Sequence, residues 1–317
     1  MKLDGILIFA DIMIGSLVHW FNGKGNTVKI RVFIALMAVY IIWGSTYLAM
    51  KTAVHTYPPY LMSGIRFFMA GIFFFLILFL FRRVNYPTIK QWINSAIIGA
   101  LFFGGGTGLV GYAQISVSSS IASMAVAIIP IWVCILAMIL KDYPSPKEFI
   151  GVVIGFIGIV VLNLSSQIMI DPIGGILLFL APLLWSIGTI LSRKLDLPTG
   201  AMRTVTQLIT GGLVCLLVSV FIKEPWSMPQ PEAYWSMLYL IIFGSLIAFT
   251  AYNYLLENSS PVLATSYAFV NPLIAALLGV LVGEIWSLQL SLALGLICFG
   301  VVFVVFGQEK YSSVERK

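Results

Sequence analysis

Ten apolar runs, each about the length of one bilayer crossing, divide this sequence from end to end. They lie near 32–50, 60–81, 92–113, 120–140, 148–164, 173–192, 202–222, 235–256, 262–282 and 288–306. A helix needs roughly 20 mostly apolar residues to cross about 30 Å of hydrocarbon. The segments between runs are short and leave no room for a water-soluble domain. Only 9% of the 317 residues are charged, where a soluble domain carries about 25%. Lipid is therefore the solvent this surface suits, and the runs predict an all-α integral membrane protein of ten transmembrane helices.

The formal charge of +6 invites a nucleic-acid partner, but its distribution assigns it another role. If ten spans alternate, 14 of the 18 basic residues fall on one side: Lys24, Lys29, Arg31, Arg82, Arg83, Lys90, Lys141, Lys147, Arg193, Lys194, Arg203, Lys310, Arg316 and Lys317. The other side keeps Lys51 and Lys223, and Arg66 lies inside a span. The positive-inside rule then puts both ends of the bundle in the cytoplasm of the inner (plasma) membrane. The expected partners are a lipid bilayer and a small-molecule substrate, with no nucleic acid.

Residues 1–28 stand apart. Their apolar part is too long, and their start too poor in basic residues, for a signal peptide. As an eleventh span they would carry Asp4, Asp11 and His19 into lipid, which is costly. A third reading is that the stretch is not translated: "GKGN" resembles a ribosome-binding sequence read as codons, and Val28 a GUG start. That reading expects a mature protein beginning at position 28, which N-terminal sequencing checks.

An internal repeat of constant offset runs through the rest. Trp43 matches Trp185, Lys51 Arg193, Tyr112 Tyr254, Ser118 Ser260, Ala122 Ala264, Pro130 Pro272, Asp142 Glu284 and Gly158 Gly300, each pair 142 apart. Eight matches at one offset, at equivalent points of corresponding runs, divide the chain into halves of five helices, 29–166 and 172–307, followed by a cytoplasmic tail, 308–317. Five is odd, so the second half starts from the opposite side and the repeats are inverted. Inverted repeats are a recurring build for secondary transporters, with a substrate site near the midplane where the halves meet.

The order of "WGSTYLAMK" (43–51), "RFFMAG" (66–71), "AIIP" (127–130), "GVVIGFIG" (151–158) and "FVNP" (269–272), with the duplication, resembles the EamA-like branch of the drug/metabolite transporter superfamily over residues 30–307. The resemblance implies a bacterial inner-membrane exporter of amino acids, related metabolites or toxic compounds, working by alternating access.

Several residues are candidates for solute contact. Tyr40, Trp43, Tyr47 and Lys51 share one face of the first helix, and Trp185, Thr189 and Arg193 form the repeat-related stripe. These tips either face a cavity between the halves or belong to an interfacial aromatic belt; Trp43 lies about 12 Å along the helix from Lys51, deep for a belt residue. Tyr112, Tyr252, Tyr267 and Asn271 complete the expected aromatic lining. Pro130 and Pro272 sit within spans, where they are read as kinks that gate the path; Asn271 beside Pro272 is either a binding point or part of the kink. Arg66, about 9 Å from its helix end, either snorkels or holds a substrate carboxylate. Ser260, followed by Pro261, reads as a helix N-cap, and Ser118 as its counterpart. The glycines of "GVVIGFIG" and "GLICFG" read as close helix packing.

No carboxylate lies mid-span, so proton coupling through such a group has no support. The sequence has no phosphate-binding GxxxxGK[ST] loop, no HExxH and no GxSxG, and its histidines are His19 and His55 alone. Cys134, Cys215 and Cys298 fall in apolar spans with no ligand spacing and read as buried small hydrophobes. The chain is therefore read as no enzyme, without metal or cofactor. The expected function is secondary export of a small amphipathic metabolite, amino-acid-like or related, or of a drug. The alternatives are uptake by the same fold and a non-transporting membrane sensor or assembly partner.

Overall fold

The computed structural model describes residues 26–54, 57–117, 119–164, 172–225, 231–281 and 287–307. The expectations for residues 1–25, Ser118, Glu284 and the tail 308–317, and for the side chains of Tyr47 and Lys51, lie outside the described part. Among the described residues every regular element is helical. We label the stretches α1 (Asn26–Val54), α2 (Pro59–Leu80), α3 (Ile89–Ala113), α4 (Ser119–Val126 and Ile129–Ile139), α5 (Pro146–Leu162), α6 (Pro172–Leu191), α7 (Ala201–Phe221), α8 (231–258), α9 (Pro261–Thr265 and Tyr267–Leu281) and α10 (Leu288–Phe306). Among the described residues nine are long and apolar enough to cross a membrane, and α5, with 17 residues, is the shortest stretch. Large apolar side chains such as Ile34, Ile41, Phe73, Leu80, Leu217 and Phe221 project outward, as a lipid-facing surface requires.

Helix starts follow sequence rules. Thr88 with Gln91, and Ser145 with Glu148, form reciprocal capping boxes before α3 and α5. Ser260 caps α9 as read from the sequence, accepting from Leu263 N at 3.1 Å, with Pro261 in the first turn. Its hydroxyl also donates to Oε1 of Glu148, which ties the start of α9 to the start of α5. Glu148 is almost wholly buried. Glu224 plays a related part for α2: its two oxygens accept from Tyr60 N at 3.0 Å and Leu61 N at 2.8 Å, placing a carboxylate on a helix N-terminus.

Two seams of glycine hold the bundle. Along α2 and α7, Gly64 faces Leu216, Gly71 faces Leu208 and Ile209, and Gly212 faces Phe68. Along α5 and α10, Gly151 faces Val304 and Gly300, Gly155 is packed by Gly300, and Gly158 faces Leu296 and Ile297. In both seams the numbers rise along one helix as they fall along the other, so each pair is antiparallel. Without a hydrophobic drive in lipid, close backbone approach of this kind supplies the dispersion that binds helices.

The prolines depart from the reading in part. Pro272 does sit inside a continuous helix. Pro130 does not kink one: α4 is interrupted by a turn at 127–128, and Pro130 falls in the first turn of the second piece. There its missing N–H has no helical partner to lose. A third proline, Pro182, stands inside α6; Ser186 Oγ donates to its carbonyl at 2.7 Å and to Ile129 O at 3.2 Å, joining α6 to α4.

Candidate functional site

The middles of α3 and α8 are widened into π-helix, over Ala100–Gly108 and Leu240–Ile247. Such segments often mark functional positions in a helix. In α3 the widened part carries Gly104, Gly105 and Gly106. A Cβ on Gly106 would lie 2.6 Å from the Trp185 ring, so the glycine is what lets α3 lie against that tryptophan. In α8, Ser245 Oγ donates five residues back, to Leu240 O at 3.0 Å.

Between these segments lies a cavity of about 100 Å³. Trp43, Thr46 and Met50 of α1, Arg66 and Phe67 of α2, and Phe103, Gly106, Thr107 and Val110 of α3 line it. Val126 and Ile129 of α4, Pro182 and Trp185 of α6, Gly244 and Phe249 of α8, and Tyr267 and Asn271 of α9 line it as well. The lining of α1 and α3 comes from their C-terminal halves and that of α2 from its N-terminal half, so the space leans toward the end of the bundle bearing the α1–α2 and α3–α4 connections.

The repeat-related tryptophans meet at its base. Trp43 and Trp185 have ring centroids 5.7 Å apart, edge to face, and Trp43 lies 4.5 Å from Tyr267 and 5.2 Å from Tyr252. Each indole N–H is fixed: Trp43 Nε1 donates to Gly244 O at 2.9 Å, and Trp185 Nε1 to Tyr252 Oη at 3.2 Å. Edge-to-face rings of this kind contribute about 0.5–1.5 kcal/mol per pair beyond their buried area.

Arg66 is buried at 4% exposure on the cavity wall. Its Nε donates to Ser245 Oγ at 2.6 Å, and the guanidinium carbon sits 4.8 Å from the Phe67 ring centroid. No Asp or Glu belongs to the lining. Gln207, next to the position that the 142-residue offset pairs with Arg66, is fully buried and accepts from Asn253 Nδ2 at 2.9 Å instead. Asn271 is 2% exposed, and its Oδ1 has no hydrogen-bond partner among the described residues.

The structure thus brings Trp43, Arg66, Trp185, Tyr267 and Asn271 to one cavity. Tyr252 and Thr189 stand behind it, fully buried and joined by a 2.6 Å hydroxyl contact. Tyr40 is bonded to Ser266 Oγ at 2.6 Å and borders a separate apolar groove between α1, α9 and α10. Tyr112 lies off the lining, 38% exposed beside Tyr60. Arg193 reaches the carbonyls of Leu256 and Ser259, away from the cavity. Thr46, Phe67, Phe103, Thr107 and Phe249 line the cavity without having been singled out in the sequence; the glycine run 104–106 was the available signal for the α3 part.

On the side of the α4–α5, α6–α7 and α8–α9 connections the helices are tied together. Arg203 pairs with Glu257 at 3.0 Å and also donates to Ser192 O. With the Glu148–Ser260 contact, these bonds close that end.

Comparison with known proteins agrees with this architecture. The model of the EamA-like transporter family matches twice, over residues 30–164 and 172–306. The "Uncharacterized inner membrane transporter YedA" of Escherichia coli K12 is 38% identical over 279 residues, covering 87% of this chain and 91% of its own length. Protein PecM of Dickeya dadantii is 31% identical, covering 83% and 86%. The "Uncharacterized transporter YoaV" of Bacillus subtilis is 28% identical, covering 87% and 97%. A solved crystal structure that is 20% identical superimposes with a TM-score of 0.72 over 89% of this chain and 99% of its own. The chain belongs to the EamA-like transporter family, as a multi-pass inner-membrane protein carrying two EamA repeats.

Proposed function

We propose that this chain is a secondary transporter that exports a small amphipathic metabolite, amino-acid-like or related, or a drug, by alternating access through the central aromatic cavity. The observation that carries the reading is the meeting of Trp43 and Trp185 at the base of a space that leans toward one end of the bundle while the other end is tied shut. Ten spans with both ends cytoplasmic, arranged as inverted halves, complete it. The antiparallel run of α2 against α7 and of α5 against α10, helices that correspond in the two repeats, supports the inversion. With the charge bias orienting the chain, the tied end is cytoplasmic and the cavity belongs to an outward-facing state. Uncovering Trp43 from inside would then require the Arg203–Glu257 and Glu148–Ser260 contacts to part.

The test is an extracellular metabolite profile of cells producing the intact protein against cells producing Trp43→Ala at equal membrane levels. A solute should accumulate outside with the intact protein and fall at least tenfold with the variant, since truncating a desolvated aromatic anchor commonly removes 2 kcal/mol or more, roughly thirtyfold, of binding. Identical profiles from both, with and without added drugs, would sink the export reading.

A further inference from the structure

Resting on that reading of the cavity, we infer that Arg66 is the anchor for a carboxylate on the transported solute. The site thus takes small monocarboxylates, anionic or zwitterionic, with an apolar or aromatic body, and turns cations away. Arg66 is buried to 4% exposure, yet only its Nε has a protein acceptor among the described residues, Ser245 Oγ at 2.6 Å. A buried cation without an anionic partner is costly, and nothing in the lining supplies one, since it holds no Asp or Glu.

The wall is shaped for the guanidinium. Gly244 leaves it room: a Cβ there would lie 2.7 Å from Arg66 Nη2. The same Gly244 offers its carbonyl to Trp43 Nε1, so the charge is seated against the aromatic base. The hydrogen bond from Nε to Ser245 and the Phe67 ring beneath fix the plane of the fork, leaving its Nη donors for a planar, two-oxygen acceptor. Asn271 Oδ1, buried and unpartnered on the same cavity, can accept an N–H or O–H of the same solute. Trp43, Trp185, Tyr267 and Phe249 receive its body. The charge is presented once only, because the corresponding stretch of the other half carries the neutral Gln207, which accepts from Asn253. Seating the fork alone would need no unpartnered acceptor at Asn271 on the same cavity.

Binding to the purified full-length chain tests this, using thermal shift and intrinsic tryptophan fluorescence with four probes. These are 3-phenylpropanoate, its uncharged amide, 3-phenylpropylamine, and inorganic phosphate without a body. The wild type should bind the acid ten- to a hundredfold more tightly than the amide, the range of a charge-assisted pair, and should bind neither the amine nor phosphate measurably. In Arg66→Gln the acid should fall to the affinity of the amide while amide binding persists, which also reports that the variant is folded; Arg66→Lys should recover part of the preference. Equal binding of acid and amide by the wild type, preference for the amine, binding of phosphate as tightly as the acid, binding of none of the four, or an unchanged preference in Arg66→Gln would each overturn the assignment. Failure here with a Trp43-dependent export profile leaves transport standing without the carboxylate anchor. Loss of that profile removes transport itself.

Discussion

Gly300→Val is expected to abolish the folded bundle, while Gly295→Ala on the same helix leaves it unchanged or slightly more stable. At Gly300 a Cβ would lie 2.6 Å from Gly155 N, 2.7 Å from Gly151 O and 2.9 Å from Gly155 Cα. All three obstacles are backbone, so no rotamer change relieves them, and α10 must move bodily off α5. Overpacking a close-packed site costs about 1–3 kcal/mol when side chains can yield, and more when they cannot. Separating a seam that runs from Gly151 opposite Val304 to Gly158 opposite Leu296 also forfeits dispersion along its whole length. At Gly295 nothing lies within 4 Å of the added methyl, and alanine relieves the entropic penalty of glycine in a helix. Detergent-solubilised protein followed by fluorescence-detected size exclusion after heating should show a monodisperse peak with an unchanged or raised midpoint for Gly295→Ala. Gly300→Val should give an aggregated or absent peak. Equal melting of the two would mean that the α5–α10 seam carries little of the stability.

That seam is legible in the sequence because glycine spacing is a direct record of backbone approach: "GVVIGFIG" and "GLICFG" read as packing surfaces, and both lie in it. The meeting of Trp43 and Trp185 was legible for a different reason. A repeat offset pairs positions, and positions paired by a pseudo-symmetry that runs through the interface lie near one another when they face it. What failed was the choice of helix face. On α1, buried Leu36 and Val39 are of the same chemical kind as exposed Ile34 and Ile41. In lipid both sides of a helix are apolar, and the periodicity that orients a soluble helix fades. Residue type alone therefore points Tyr112 to the cavity, although it lies off the lining, 38% exposed beside Tyr60. The π segments were hidden for a related reason. A shift of hydrogen-bond register changes no residue type, so only the glycines of 104–106 hinted at the first, and nothing hinted at Leu240–Ile247. A Ser-Pro-x-Glu start reads as an ordinary exposed cap, whereas Glu148 is buried, bonded by Ser260, 112 residues away, and packed by Gly307.

Whether the halves are inverted depends on α5, and cysteine labelling of its two flanks should give an all-or-none answer. Tyr143 precedes it, 57% exposed in the α4–α5 connection, and Leu164 follows it, 70% exposed beyond its last turn. With 17 residues, α5 measures about 25 Å at 1.5 Å per residue, at the lower edge of what spans a bilayer. Two features favour a crossing. Its partner α10 passes the same length and composition test over 19 residues, and the antiparallel seam holds the two side by side. The first turn of α5 also bears Lys147 among the basic residues that the positive-inside rule assigns to the cytoplasm. In a background with Cys134, Cys215 and Cys298 replaced, Tyr143→Cys should resist a membrane-impermeant maleimide in intact cells and react after permeabilisation. Leu164→Cys should react in intact cells at once. Lys194→Cys, beyond α6, should behave as Tyr143→Cys does. If Tyr143→Cys and Leu164→Cys respond alike, α5 does not cross, the second half has the same sense as a nine-span count requires, and the inverted arrangement falls. If they respond oppositely while Lys194→Cys follows Tyr143→Cys, each half crosses five times, the two begin from opposite faces, and the Arg203–Glu257 end of the bundle is the one a cytoplasmic solute must open.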